Sequence, residues 1–71
     1  MHYFMKKPED VREGDLVYIH LLASKLPARV IKLSATLKDV ALIQRNGFDQ
    51  WNAYSPRGQW QNMDGDLVSF A

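Results

Sequence analysis

The sequence predicts an all-β domain, a small barrel of five to six short strands. Three observations carry that expectation. Apolar and β-branched residues come in short runs, as strands require. Turn residues punctuate the chain about every ten residues, the spacing of a small barrel or sandwich. One of those turns, Asn46-Gly47, is the dipeptide best suited to a two-residue hairpin.

Met1–Glu13 reads as an irregular lead-in, with Pro8-Glu9-Asp10 opening a turn-rich, acidic stretch. Gly14-Asp15 then marks a turn before the first strand. That strand is expected over Leu16–Leu22. Val17, Ile19 and Leu21 fall on one face, and Leu16, Tyr18, His20 and Leu22 on the other, so both faces should be covered. Ala23–Leu26 reads as a loop, and Pro27 is tolerated only at the start of a strand. The second strand is Ala28–Leu33. Alternation places Ala28 and Val30 on one face and Arg29, Ile31 and Leu33 on the other, so Arg29 and Lys32 should diverge. Ser34–Asp39 reads as a polar turn; a short helical turn near 34–39 capped by Ser34 is the alternative.

Val40–Arg45 and Phe48–Tyr54 form the third and fourth strands around Asn46-Gly47. Ser55-Pro56-Arg57-Gly58 is a second turn, with Pro presetting φ and Gly suiting the last position. Gln59–Met63 is a short strand, Asp64-Gly65 a further turn, and Asp66–Phe70 the final strand. Gly-Asp-Leu-Val occurs at 14–17 and again at 65–68, so the first and last strands start after the same kind of turn. Pairing of these strands would close the sheet and remove two edges. Strand count and turn placement over residues 11–70 resemble an SH3-like barrel. That resemblance implies a fold and no function.

At 71 residues the chain is read as one domain, 1–71. A domain this small buries only about 60% of its unfolded surface and is marginally stable. It contains no Cys, which excludes disulfides and thiolate metal sites. The net charge of +1 gives no overall attraction to polyanions. No apolar run approaches the roughly 18 residues of a membrane span. Met1–Lys7 has no apolar core of the kind a signal peptide needs. A cytoplasmic protein that makes no use of a membrane is expected.

Motifs for catalysis are missing. His2 and His20 have no Cys or spaced His to complete a metal site. Asp10, Glu13, Asp15, Asp64 and Asp66 mostly flank glycine turns, where Asp bonds its own backbone. Asp15 and Asp66 would approach one another only if pairing of the end strands brought them together. No serine lies in a Gly-x-Ser-x-Gly elbow, and the glycines at 14, 47, 58 and 65 are isolated. No cofactor and no metal are expected.

Arg45–Met63 is the informative stretch. It holds Phe48, Trp51, Tyr54 and Trp60 among Gln and Asn side chains and two arginines. Rings offer large contact area, and amides read hydrogen-bonding groups. One or two of the rings are needed in the core, and the amides suit an exposed polar strand face. The candidate binding residues are Trp51, Tyr54, Trp60, Arg45, Arg57 and Gln59, with the two arginines converging beside the tryptophans. The expected function is a non-enzymatic module that binds another protein or itself. A nucleic-acid-binding barrel is the alternative. A small-ligand or catalytic site at an oligomer interface is a third reading.

Overall fold

A computed structural model describes residues 5–37 and 39–71. The expectations for His2 and for Lys38 within the 34–39 turn lie outside the described residues. The chain forms a closed antiparallel barrel in sequence order: β1 (Leu16–His20), β2 (Lys25–Leu33), β3 (Val40–Arg45), β4 (Phe48–Tyr54), β5 (Trp60–Gln61) and β6 (Leu67–Phe70). β6 pairs back onto β1, with Val17 opposite Phe70 and Ile19 opposite Val68. The end strands therefore close the sheet as their turns suggested.

β1 is shorter than its apolar pattern. Leu21 and Ser24 exchange both backbone hydrogen bonds, at 2.9 and 3.4 Å, so Leu22 and Ala23 form the turn. Leu21 and Leu22 are consequently exposed at the tip rather than covered in a strand. Pro27 lies inside β2, opposite Tyr18. Alternation from the Leu21–Ser24 pair makes this a position with no ladder bond to β1. On its other side, β2–β3 pairing begins only at Arg29 opposite Gln44. The missing proline N–H thus costs no hydrogen bond. A bulge between Val30 and Lys32 shifts the alternation. Lys32 lies opposite Leu42, so Arg29 and Lys32 share the outer face instead of diverging.

The remaining turns follow their residues. Asn46 (φ 50°) and Gly47 (φ 82°) both take the left-handed conformation of a type I′ turn, and Arg45 pairs with Phe48 across it. Residues 34–37 bend without a helix; Ser34 Oγ accepts the backbone N–H groups of Thr36 and Leu37. The single helical turn among the described residues is a 3-10 segment at Pro8–Asp10. β5 is only Trp60–Gln61, and the β5–β6 turn is held by Asn62 Oδ1, which accepts from the N–H groups of Asp64 and Asp66.

The core is Val17, Ile19, Ala28, Val30, Ala41, Ile43, Trp60, Val68 and Phe70, joined by Val11 from outside the strands. The lead-in is irregular but integral. Val11 is fully buried, and Met5 packs against the core. The indole Nε1 of Trp60 donates to the carbonyl of Lys6 at 2.8 Å. The Lys6 ammonium bonds Asp15 Oδ2 at 2.9 Å and lies 5.5 Å from the Phe70 ring centroid. This strap plugs the end of the barrel where β1 begins and β6 ends. The opposite end carries the 21–24, 46–47 and 62–66 turns and is open.

Burial works against ionisation of Asp15. The N–H of Arg12 and the ammonium of Lys6 outweigh it and hold the carboxyl below its ordinary range. A carboxyl lowered in the fold stabilises it above that range, and the stabilisation is lost as pH falls through it. Asp15→Ala is expected to cost about 1 kcal/mol at neutral pH. Chemical denaturation of both proteins should show that gap narrowing as pH falls below the ordinary carboxylate range, where the lowered carboxyl of the folded wild type protonates last.

Candidate functional site

The β3–β4 hairpin decides what this barrel can offer. Its two-residue turn locks the register: Ile43 faces Gln50, Ala41 faces Asn52, Leu42 faces Trp51 and Val40 faces Ala53. Side chains on directly opposed residues share a face. The hairpin can therefore bury Ala41, Ile43, Gln50 and Asn52, or Val40, Leu42, Trp51 and Ala53. Hydropathy favours the second set. The structure buries the first: Ala41, Ile43 and Asn52 are enclosed, while Trp51 remains 44% exposed. The inward choice is set by the neighbours, because Ile43 must meet Val30 of β2 inside the barrel.

Two surfaces result. Outside, Val40, Trp51, Ala53, Gln61 and Met63 line a shallow, largely apolar groove beside Leu42. Met63 stands almost fully in solvent at its edge. Arg29 and Lys32 border this face along β2. On the β4 side Asp49 borders it and accepts from Gln44 Nε2 at 2.9 Å. At the open end, Ile19, Ile43, Phe48, Gln50 and Asn52 line a mouth together with the oppositely charged Arg45 and Asp49. Three of the amides that suggested an exposed strand face, Gln50, Asn52 and Asn62, are on the inner side instead, while Gln44 and Gln61 remain on the outer one. Asn52 and Asn62 are buried, and Asn62 Nδ2 donates to Gln50 Oε1 at 3.3 Å and Asp66 Oδ2 at 3.2 Å.

The six candidate residues do not form one site. Trp51 is outward on β4. Trp60 is 1% exposed and packs in the core, with Tyr54 at a ring-centroid distance of 5.4 Å and Phe70 at 6.3 Å. It has no ring surface to present. Tyr54 is half-buried against it, and Gln59 is half-buried in the neighbouring turn. Arg45 borders the β3–β4 turn and Arg57 the β4–β5 turn. These lie at opposite ends of a seven-residue strand, roughly 20 Å apart, so the arginines do not converge. Asp15 and Asp66 are separated in the same way, because β1 and β6 run antiparallel and each residue precedes its strand.

Sequence reasoning missed two features. Nε2 of His20 lies 2.6 Å from Oγ of Ser69, a link across the β1–β6 seam. Ser69 is buried, so this pair ties strands together and leaves its hydroxyl shielded from a substrate. Leu42, opposite Trp51, is the other, because nothing local indicates which face of β3 turns outward. Among the described residues no group of three or more His, Cys, Asp or Glu is placed to hold a metal ion. No described helix is long and apolar enough to cross a membrane.

The chain matches no family model, and no curated protein and no solved structure matches it significantly.

The two indoles should behave as opposites. In Trp51→Phe, only Trp60 emits, and its fluorescence should be blue-shifted and resist acrylamide. In Trp60→Phe, the remaining Trp51 emission should be red-shifted and readily quenched. Equal quenching in both variants would contradict the placement.

Proposed function

We propose that the protein is a non-enzymatic binding module that docks protein surfaces through the outer face of β3–β4, and that a second copy of the chain is its occupant. The single observation carrying this reading is the inverted hairpin. The barrel encloses the more polar face and turns Val40, Leu42, Trp51 and Ala53 to solvent. An apolar face rimmed by polar groups is the form of a protein contact. A Trp near its centre is the residue type that most often dominates such contacts.

Charge supports a second copy. Cations Arg29 and Lys32 lie on the β2 margin, and Asp49 on the β4 margin. A two-fold axis through the middle of the face would lay one copy's cations against the other's carboxylate, as a self-complementary interface requires. Dimerisation would also add buried area to a small domain lacking disulfides. The separation of Arg45 from Arg57 counts against a basic patch built from those two residues, on which the nucleic-acid alternative drew.

Sedimentation of the purified chain should show a concentration-dependent monomer–dimer equilibrium. Trp51→Ala should weaken it by about 2 kcal/mol, and Leu42→Lys should abolish it. Both variants should keep the wild-type β circular-dichroism spectrum, since both residues point outward. A wild-type chain that stays monomeric at millimolar concentration would overturn the reading. So would a dimer that neither substitution disturbs.

A further inference from the structure

Reactivity toward peroxides falls to thioether sulfur in this chain, because it contains no cysteine. The described methionines are Met5 and Met63. Met5 packs against the core, whereas Met63 is 90% exposed. A pinned turn presents it. Asn62 Oδ1 accepts from the N–H groups of Asp64 and Asp66, and the Gly65 N–H donates to the Asn62 carbonyl at 3.0 Å. Asn62, Asp64, Gly65 and Asp66 are ordinary turn residues, and Met63 is the one apolar side chain among them. Local chemistry calls for a polar residue there, so the reason for a thioether lies in what surrounds it. Met63 lines the edge of the outer groove, with Val40, Trp51, Ala53 and Gln61. A thioether is flexible and polarisable and adapts to an apolar partner, and oxidation converts it to a polar sulfoxide.

We propose that Met63 is an oxidative modification site that controls the outer face of β3–β4. This rests on the reading of that face as the contact between two copies. In the step, the Met63 sulfur lone pair attacks one oxygen of hydrogen peroxide. The S–O bond forms and the O–O bond breaks. The second oxygen takes up the remaining proton and leaves as water. Sulfur is oxidised and the peroxide reduced, by two electrons each. The modified side chain carries a strong hydrogen-bond acceptor that an apolar contact leaves unpaired. Oxidation therefore favours the monomer. The converse also holds. A second copy seated on the face covers the sulfur, so peroxide reacts with the monomer and spares the dimer, and protection follows the dimer fraction by mass action.

The test treats the full chain with hydrogen peroxide, following Met63 by peptide mass spectrometry and self-association by sedimentation. Sulfoxide at Met63 should raise the dimer dissociation constant by about tenfold. Oxidation of Met63 should slow as protein concentration rises through the point of half-dimerisation. Met63→Leu should dimerise like the untreated wild type and keep its dimer through the same treatment. Met63→Gln, polar and inert to peroxide, should associate as weakly as the sulfoxide. Both variants replace an exposed side chain, so the circular-dichroism spectrum should not change. An oxidised chain that dimerises as tightly as the untreated one would overturn the proposal. So would a Met63→Leu chain that loses its dimer on treatment as the wild type does. A dimer that depends on Trp51, with Met63 oxidised equally fast at all concentrations, would leave the contact standing and remove Met63 from it. An untreated chain that stays monomeric at millimolar concentration would remove the contact itself, and this inference with it.

Discussion

Trp60 is where the distant parts of this chain meet. Its ring fills the barrel beside Tyr54 and Phe70, and its N–H holds the carbonyl of Lys6 in the strap. The strap in turn carries Val11 into the core and places Lys6 against Asp15 and Phe70. A buried indole needs a hydrogen-bond partner as well as apolar contact, and here one residue receives both. Together with Val11 in the core and the Lys6–Asp15 pair, that bond holds the strap across one end of the barrel. The two ends differ because the strap's contacts to Trp60, Asp15 and the core all lie at one of them.

The hairpin adds a second constraint. Asn46-Gly47 fixes which residues face each other, and Ile43 fixes which set goes in. Polar Gln50 and Asn52 are then carried inside, and Trp51 and Leu42 are carried outside. A local turn and one core contact thereby determine both surfaces. The apolar outer face and the polar inner mouth are two sides of one strand, each less favourable for folding than the reverse arrangement would suggest. Such departures from local consistency tend to mark functional positions.

Features fixed by local chemistry were legible in the sequence. Asn46-Gly47, Ser55–Gly58 and Asp64-Gly65 dictated their turns through positive φ and side-chain bonds, and β3 and β4 took their expected bounds, while β5 came out shorter than Gln59–Met63. Closure through the first and last strands was legible from their matching turns. Features decided by tertiary contact were not. Leu21 and Leu22 continue the apolar pattern, so the end of β1 at His20 could not be read. Pro27 survives inside β2 only because β3 does not reach it. Val11 is a lone apolar residue in a polar stretch, without a period to announce its burial. Trp51 and Trp60 look alike in the sequence, and only the register, propagated from Ile43 through β4 to β5, separates them. Amides are expected outside because burying them is costly, yet Asn62 finds partners within its own turn and on β4.

The opposite fates of the two tryptophans follow from both constraints, and hydrogen exchange at their indole N–H groups probes them most directly. NMR on the unmodified protein resolves both signals. The Trp60 N–H, bonded to Lys6 inside the plugged end, should exchange only with global unfolding, as slowly as the most protected strand amides. The Trp51 N–H should exchange at a rate near that of an exposed indole. Rapid exchange at Trp60, or protection at Trp51 in the monomer, would contradict both the plugged barrel and the inverted hairpin.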